Sequence, residues 1–338
     1  YNNRWRLDRN LNNIIIRNLI IGAGQLGSRH LQGLLKFNKE QIIYVLDTSK
    51  SSLKIAKERA NEIEFEHTVK YISEWDNLPP ELDLVIVATG ASVRAKLVTK
   101  LLKVCNVKNL VLEKILFQDL ESYSDISKLI KTTGTPTWVN HPRRMFKHYL
   151  DIKNKISKSE EVVNFQIFGG NWDLACNALH FIDLISFLSN SEVMELDFGG
   201  IDNKIINSKR SNCVEFTGSL SGKLKNGNNF NISSLDGDYE DITICVLTKS
   251  SRWIIQEGDA QKIIYLGKEN NFNEIIIPFT NEYQSTLTTR IINDILIEGN
   301  TNLPNYQEAC SSHIPFIEGA LNSYNRISNS NTSICPIT

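Results

Sequence analysis

The chain has 338 residues, and its 37 Lys and Arg residues nearly balance its 38 Asp and Glu residues, giving a formal net charge of −1. This length suits two domains better than one small core. The balanced charge argues against a nucleic-acid partner. The apolar runs are too short to cross a membrane, and residues 14–21 are interrupted by Arg17 and Asn18.

The six cysteines are scattered along the chain, and none of them forms a C-x-x-C pair. This pattern disfavours both a disulfide framework and a metal centre. Residues 1–13 are polar and contain no apolar h-region, so we expect no secretory signal. Together these features predict a cytoplasmic protein with free thiols and no bound metal.

Residues 17–47 contain a short apolar run, a glycine-rich turn, an amphipathic stretch and a second apolar run ending in Asp47. Gly22, Gly24 and Gly27 have the G-x-G-x-x-G spacing, in which the glycines allow a tight turn, pyrophosphate approach and close helix packing. Asp47 can accept both hydroxyls of an adenosine ribose and would repel a 2′-phosphate. We therefore predict an NAD site, with NADP less favoured. The alternative is a glycine turn in another α/β protein, with Asp47 capping the next helix.

Strands and helices alternate over the first 140 residues. The predicted strands are 17–21, 42–46, 83–88, 107–112 and 137–139, and the predicted helices are 25–38, 50–61, 92–104 and 119–132. This alternation indicates βαβ units and a parallel sheet with helices on both faces. Ligands of such sheets bind at the carboxyl ends of the strands. The segments to consider are therefore 22–27, 47, 89–92, 113–114 and 140–144.

Lys114 follows the strand predicted at 107–112, where we expect the nicotinamide end of a cofactor. A lysine beside this positively charged ring can exchange a proton with a substrate hydroxyl. The alternative is an ordinary solvated lysine in a loop.

Residues 173–188 form a mostly apolar stretch with helical periodicity, for which Asp173 is a natural N-cap. Its polar stripe contains Asp173, Cys176, Asn177, His180 and Asp183. Such a pattern indicates a buried helix whose polar stripe faces a cavity. The alternatives are a solvated face, or a core histidine at position 180 whose hydrogen bonds are satisfied internally.

Period-two segments predominate after residue 190 and are joined by polar turns. They are 192–198, 213–222, 229–235, 240–248, 251–256, 261–266 and 274–277, followed by predicted helices near 282–298 and 305–326. Consecutive segments of this kind predict antiparallel strands in one open sheet. We thus predict an α/β Rossmann domain with a parallel sheet over residues 1–140. An α+β domain with a large open, mainly antiparallel sheet is predicted over residues 141–338.

Several of these segments resemble the glucose–fructose oxidoreductase/inositol dehydrogenase (Gfo/Idh/MocA) family. They are the turn 22–27, Val-Ala-Thr at 87–89, Leu-Glu-Lys at 112–114, Arg144, the Gly-Gly to His-Phe-Ile-Asp segment at 169–183, and the final helix 306–323. The family combines a Rossmann domain with an α+β domain whose open sheet often mediates dimers or tetramers. Its members mostly transfer hydride between a nicotinamide cofactor and a sugar or polyol carbon.

The resemblance implies that Lys114 and His180 are catalytic, with Lys114 contacting cofactor and substrate and His180 relaying a proton. The expected cofactor-binding residues are Gly22, Gly24, Gln25, Leu26, Gly27, Asp47, Thr89, Glu113 and Lys114, and the expected substrate-binding residues are Arg144, Trp172, Asn177 and Asp183. The expected partner is a sugar or nucleotide sugar, acted on in surface-polysaccharide biosynthesis by a homodimer or homotetramer.

Three positions depart from the family pattern. Cys176 stands where the family has Asp, Ala178 where it usually has Gly, and Ile115 where Pro follows the lysine. A thiol cannot hold an imidazolium as a carboxylate does. Two alternatives therefore stay open. The proton relay can run through Lys114 or Asp183 instead, or catalysis can be impaired.

Other functional classes also fit parts of the sequence. Tyr149 and Lys153 have the Y-x-x-x-K spacing of short-chain dehydrogenases, but that family needs a different glycine spacing, and the lysines of 143–158 suggest a solvated helix face. A dinucleotide-binding scaffold or regulator remains an alternative. So does an enzyme that keeps NAD bound and uses transient oxidation for elimination or epimerisation. The sequence favours an NAD(H)-dependent sugar oxidoreductase.

Overall fold

The computed structural model describes residues 15–159, 162–237 and 241–338. Residues 1–14, on which the secretory-signal expectation rests, and residue 240, predicted to begin a strand, lie outside the described residues. Across the described ranges, every helix is too short or too polar to cross a bilayer.

The first domain is an alternating series of strands and helices, as predicted. Its strands are β1 (Ile16–Ile21), β2 (Gln41–Leu46), β3 (Thr68–Ile72), β4 (Glu81–Leu82), β5 (Leu84–Val87), β6 (Asn106–Val107), β7 (Leu110–Glu113) and β8 (Thr137–Asn140), and its helices are α1 (Gln25–Leu35), α2 (Lys50–Ala60), α3 (Ala91–Val104) and α4 (Leu120–Thr133). A six-stranded sheet has the order β3-β2-β1-β5-β7-β8, with every pair parallel. The carboxyl ends of these strands therefore meet at one edge.

Two features of this sheet differ from the prediction. β3 was not predicted, and all five of its residues are exposed or half-buried. As the edge strand it lacks the continuous apolar run of a central strand, which explains why the pattern missed it. The segment predicted at 107–112 divides into β6, which pairs with β4, and β7, which lies in the main sheet.

The second domain contains helices and a large sheet. Its elements are α5 (Lys147–Ser159), β9 (Val162–Gly170), α6 (Leu174–Ser189), β10 (Val193–Ile201), β11 (Ile206–Asn207), β12 (Val214–Glu215), β13 (Gly218–Leu224), β14 (Asn229–Leu235), β15 (Thr243–Thr248), β16 (Ser251–Gln256), β17 (Lys262–Gly267), β18 (Glu274–Pro278), α7 (Gln284–Asn293), continued by a π-helical segment (Asp294–Glu298), and α8 (Tyr306–Ser328). The eight-stranded sheet has the order β10-β13-β14-β9-β15-β16-β17-β18. The predicted fold class is confirmed.

The sheet is not a simple succession of neighbouring strands, which corrects the prediction. β9 precedes α6 in the chain, yet it lies between β14 and β15 and pairs with β14 in parallel. The segment predicted at 213–222 also divides, because β12 pairs with β11 outside the large sheet. Long-range pairing of this kind leaves no local trace in the sequence.

The last helices return to the first domain. α7 packs against α1, and α8 packs against α4. A side chain at Gly33 of α1 would place its Cβ 2.5 Å from Cβ of Thr288, so this glycine permits the close approach of α7. These contacts join the last two helices to the first domain.

Candidate cofactor crevice and active site

The glycine-rich turn has the geometry that its spacing predicts. Gly22 has φ +96°, and a Cβ there would lie 2.9 Å from Thr89 Cγ2. A Cβ on Gly27 would lie 1.8 Å from the Gly22 carbonyl oxygen, so α1 packs directly on the turn. By contrast, a Cβ on Gly24 would meet no atom within 4 Å. Gly24 therefore faces the open space where a phosphate can approach the backbone.

Two helices begin at this space without side-chain caps. Gly24 is the N-cap of α1 and Gly90 is the N-cap of α3, and neither helix has a side-chain capping bond. Their first residues line a crevice of about 350 Å³ that also includes Thr89, Glu113 and Lys114. Free N–H groups and the positive ends of two helix dipoles favour an anion at this position.

Asp47 binds the glycine-rich turn. Its Oδ2 accepts a hydrogen bond from the Ala23 N–H at 2.7 Å, and its Oδ1 accepts one from the Ser49 N–H at 2.8 Å. The side chain of Ser49, rather than that of Asp47, caps α2 by accepting from the Ser52 N–H. The alternative in which Asp47 is the cap of the next helix is therefore wrong.

A buried network supports the floor of the crevice. Glu113 Oε1 accepts from Asn140 Nδ2 at 2.6 Å and lies 2.8 Å from His30 Nε2. Burial opposes ionisation of Glu113, but these two partners lower the pKa of its carboxyl group. Glu113 lines the crevice, but its carboxylate is hydrogen-bonded to Asn140 and His30. Its contact with a cofactor stays a prediction.

Arg94 is a positioning residue that the sequence did not reveal. Its buried guanidinium donates to the carbonyl oxygens of Thr89, Ile115 and Leu116, which follow β5 and β7. Burial lowers the pKa of Arg94 to about 10, so the group stays charged at neutral pH. It joins the two loops that present Thr89 and Lys114. Only the tertiary fold brings these carbonyl groups around one side chain.

Lys114 lies between the crevice and α6. Its Nζ donates to the Cys176 carbonyl oxygen at 2.8 Å and to Cys176 Sγ at 3.2 Å. An ammonium group has three donors, so these contacts leave one for a substrate. The peptide bond between Lys114 and Ile115 is cis. The alternative of a fully solvated loop lysine is wrong.

His180 lies one helical turn beyond Cys176 and belongs to a group of three histidines. Its ring packs edge-on against His141, with ring centroids 5.5 Å apart, and His141 Nε2 lies 2.9 Å from His313 Nε2. Burial is the main cause that lowers the pKa of His180 well below its usual range, and the charge of Lys114 is the second. Burial acts in the same direction on the pKa of His141 and His313. These imidazoles are therefore neutral at neutral pH, and His180 is a neutral hydrogen-bonding group.

Arg144 and Asp183 form a buried ion pair with each other. Arg144 Nη2 donates to Asp183 Oδ1 at 2.7 Å and Arg144 Nε donates to Oδ2 at 2.8 Å, while Nη1 donates to Glu308 at 2.8 Å. Although burial opposes the charge, Asp183 and Glu308 raise the pKa of Arg144. The pair lines a different cavity from the one containing Lys114. A substrate-orienting role would require Arg144 and Asp183 to lie beside Lys114. The structure does not place them there.

Asp183→Ala should destabilise the fold by about 3–5 kcal/mol, because it leaves the buried charge of Arg144 without its main partner. The two side chains are only 5% and 2% exposed. Denaturant unfolding of the protein measures this loss. As a control, Asp151→Ala removes an exposed partner of Lys147 and should cost less than about 1 kcal/mol. Equal losses in both variants would contradict a structural role for the buried pair.

The segment before α6 differs from the prediction in one respect. Asp173 is at the N-cap position, but it has φ +59° and makes no capping bond, and its carboxylate instead contacts Lys209 Nζ at 3.2 Å. Trp172 is buried, and its Nε1 donates to the Ser233 carbonyl oxygen at 2.8 Å. Asn177 donates to the Trp172 carbonyl oxygen at 2.8 Å. Trp172 lines a different cavity from the one that contains Lys114, and Asn177 does not line the Lys114 crevice either. The structure therefore does not place these two predicted substrate residues in that crevice.

The Y-x-x-x-K spacing has a structural origin. The Tyr149 hydroxyl is buried and donates to Glu257 Oε1 at 2.6 Å, and Lys153 Nζ donates to the Phe187 carbonyl oxygen. Neither residue lines the crevice that contains Lys114. This geometry agrees with rejecting a short-chain dehydrogenase site at these residues.

The crevice fits a dinucleotide. Gly24 leaves space for a phosphate, two uncapped helix N-termini face that space, and the buried Thr89 hydroxyl has no partner among the described residues. Within the same ranges, the His, Cys, Asp and Glu side chains form no group suited to a metal ion. The fold and crevice together define a Rossmann protein with a dinucleotide site.

Residues 16–141 match the Gfo/Idh/MocA family model, described as an oxidoreductase family with an NAD-binding Rossmann fold. The match covers the N-terminal domain and agrees with the resemblance inferred from the sequence. The predicted cofactor class agrees with the family description. No curated protein sequence matches the chain.

Solved structures share the complete two-domain fold at low sequence identity. The super-repressor mutant of Gal80p from Saccharomyces cerevisiae has a TM-score of 0.71 and 14% identity, covering 94% of this chain and 97% of its own. An oxidoreductase from Agrobacterium radiobacter in complex with NAD+, L-tartaric acid and magnesium has a TM-score of 0.70 and 13% identity, with coverage of 91% and 96%. A levoglucosan dehydrogenase in complex with NADH and levoglucosan has a TM-score of 0.69 and 12% identity, with coverage of 92% and 98%.

Proposed function

We propose that this protein is an NAD(H)-dependent oxidoreductase that acts on a carbinol carbon of a sugar or sugar derivative. The observation that carries the proposal is the position of Lys114. Its amine lies in the same crevice as the glycine-rich turn, and Cys176 of the second domain holds it there. A proton-exchanging group is thus fixed next to a dinucleotide site. The sugar and NADH ligands of levoglucosan dehydrogenase support this substrate class.

When bound, a nicotinamide cofactor supplies the hydride donor or acceptor. Gly24 and the first N–H groups of α1 and α3 would hold its pyrophosphate, and Asp47 its adenosine ribose. Lys114 Nζ exchanges the proton of the substrate hydroxyl. His180, being neutral, orients that hydroxyl by a hydrogen bond rather than through an imidazolium charge. Asn177, which follows Cys176 in α6, would contact the substrate from the same helix.

The cofactor preference depends on Asp47. We expect Asp47→Ala to weaken NADH binding and to reduce discrimination against NADPH by roughly tenfold, because it removes the carboxylate that repels a 2′-phosphate. Fluorescence titration with both cofactors measures the change. Asp76→Ala, at an exposed carboxylate in the turn after β3, is the control. Tighter binding of NADPH than NADH by the unmodified protein would contradict this role of Asp47.

The same proposal includes a substrate, a cellular location and an assembly. A nucleotide sugar of a surface-polysaccharide pathway is the proposed substrate, and the cytoplasm is the proposed location. A homodimer or homotetramer is the proposed assembly, and the exposed Phe168 and Leu235 on the outer face of the large sheet are consistent with it. Light scattering measures the assembly directly.

A thermal-shift panel of NAD, NADP and nucleotide sugars tests the proposed function, because a ligand that binds the native state raises its melting temperature. Sugars that shift the melting temperature in the presence of NAD are then assayed by NADH absorbance. We expect NAD to stabilise the protein and at least one sugar to change the absorbance. A panel without an NAD shift would contradict the cofactor site. Product formation without net NADH would instead indicate transient oxidation by a bound cofactor.

A regulatory protein that binds NAD without turnover is the second candidate. Cys176 favours it, because Lys114 contacts a thiol and a carbonyl group there, and neither is a carboxylate. The similarity in fold to Gal80p, a protein described as having a super-repressor mutant, also supports this candidate. NAD binding without substrate-dependent absorbance change across the panel would support it over the enzyme.

A further inference from the structure

Glu215 is a buried carboxyl group next to the Lys114 site. It belongs to β12 and is 4% exposed. Its Oε2 accepts a hydrogen bond at 3.2 Å from the backbone N–H of Cys176, in the first turn of α6. Cys176 is also the residue whose carbonyl oxygen and thiol hold Lys114 Nζ. One residue thus connects Glu215 to the amine in the crevice.

The first turn of α6 needs an external partner. Its N-cap residue, Asp173, makes no side-chain capping bond. The second and third N–H groups of a helix are those that a cap ordinarily satisfies. In α6 they belong to Ala175 and Cys176. Glu215 Oε2 accepts a hydrogen bond from the Cys176 N–H, and the Ala175 N–H also acts to lower the pKa of the Glu215 carboxyl group. A carboxylate at a helix N-terminus also interacts favourably with the helix dipole.

We propose that Glu215 is a positioning residue, which caps α6 from a neighbouring strand and, through Cys176, fixes the Nζ atom of Lys114. The part of this inference that concerns catalysis rests on the proposed function. The capping role stands on the contacts of Glu215 alone.

The charge of Glu215 changes near neutral pH. Burial raises the pKa of its carboxyl group to about 7, and Asp173 adds to this, while the backbone N–H groups and Lys114 oppose it. Glu215 also lines a cavity of about 410 Å³ with Asp173, Lys204 and Asp236, and it interacts electrostatically with the Cys213 thiol. Ionisation of Glu215 strengthens its interaction with the N–H groups of α6, but the cost of burying the charge is larger, and this is why the pKa is raised.

The direction of the pH effect on stability follows from the raised pKa. Between pH 4.5, the ordinary value for Glu, and about 7, the folded state retains a proton that the unfolded state has released. The free energy of unfolding of the native protein therefore falls as pH rises through this window. Glu215→Gln cannot titrate and should escape this loss.

Three variants test the proposal without cofactor or substrate. Glu215→Gln keeps an acceptor and loses the charge, Glu215→Ala loses both, and Glu192→Gln is a control at an exposed glutamate that pairs with Lys225. We expect Glu215→Ala to speed amide hydrogen exchange at Ala175 and Cys176 by about tenfold, because the turn opens more readily. Glu215→Gln should stay within about threefold of the native rate, since its amide oxygen still accepts the bonds.

The melting temperature gives a second measurement. From about pH 5 to about pH 8, the melting temperature of Glu215→Gln should rise by a few degrees relative to the native protein. Glu192→Gln should show no such trend. Native-like amide exchange in Glu215→Ala, or a flat pH difference for Glu215→Gln, would overturn the proposal.

Failure of the proposed function gives a different result. Loss of protection in Glu215→Ala together with absence of NADH binding by the native protein would retain the capping role and reject the enzyme. If a substrate is found, Glu215→Ala should lower kcat about tenfold, with NADH affinity little changed. An unchanged kcat would remove the catalytic part of the inference.

Discussion

Lys114→Ala should lower the turnover of the sugar substrate by about 10²–10⁴-fold, the contribution usually made by a positioned acid–base group. The affinity for NADH should change by less than about threefold, because the main cofactor contacts proposed above come from the turn at Gly24 and the carboxylate of Asp47. The loss of turnover is expected because Cys176 holds Lys114 Nζ at the crevice. Steady-state kinetics and fluorescence titration measure the two quantities separately.

Two further variants control this experiment. Lys128→Ala removes an exposed lysine that pairs with Asp125 and should leave turnover unchanged. Lys114→Arg keeps a positive charge but is a poor proton donor and acceptor, so it should remain impaired. Unchanged turnover in Lys114→Ala would remove Lys114 from the mechanism.

Gly24→Val should raise the dissociation constant for NADH by at least about 100-fold, equivalent to about 2.8 kcal/mol. The added side chain fills the space that a pyrophosphate must occupy beside the first turn of α1. Gly24 has φ −66°, and its Cβ direction is free of protein atoms within 4 Å. The variant should therefore fold with a melting temperature close to the native value. Fluorescence titration and thermal unfolding together test both parts.

Gly27→Ala provides the contrasting case in the same turn. Its Cβ would lie 1.8 Å from the Gly22 carbonyl oxygen, so the strand and helix must separate. We expect a loss of stability of at least about 2 kcal/mol, as for other changes that overpack a close contact. Normal NADH binding by Gly24→Val would show that the crevice is not the cofactor site. The stability of Gly27→Ala does not affect that conclusion.

Local patterns predicted much of the first domain and part of the site. The spacing of Gly22, Gly24 and Gly27 specified a turn whose geometry the structure reproduces, because each glycine answers a steric requirement within a few residues. Lys114 was predicted from its place after a strand, since all parallel strands end at one edge of the sheet. The edge strand β3 was missed because its half-exposed residues lack the apolar pattern of the central strands.

Pairings between distant segments could not be read in this way. Arg144 and Asp183 both appeared to be substrate residues, but 39 positions separate them in the chain and the fold joins them in a buried ion pair. Asp173 had the residue type of a helix cap, while the capping carboxylate comes from Glu215. Such partners depend on which strand or helix lies alongside, and that is decided by burial of the whole core.

By itself, the sequence determined the two-domain fold class, the glycine-rich turn and the lysine at the carboxyl edge of the sheet. These features depend on residue type, spacing and periodicity over short distances. The tertiary structure alone decided that β9 lies inside the large sheet, that Arg94 ties the loops after β5 and β7 together, and that Glu215 reaches the first turn of α6. The physical reason is that buried polar groups must find partners wherever packing places them, and those partners are far away along the chain.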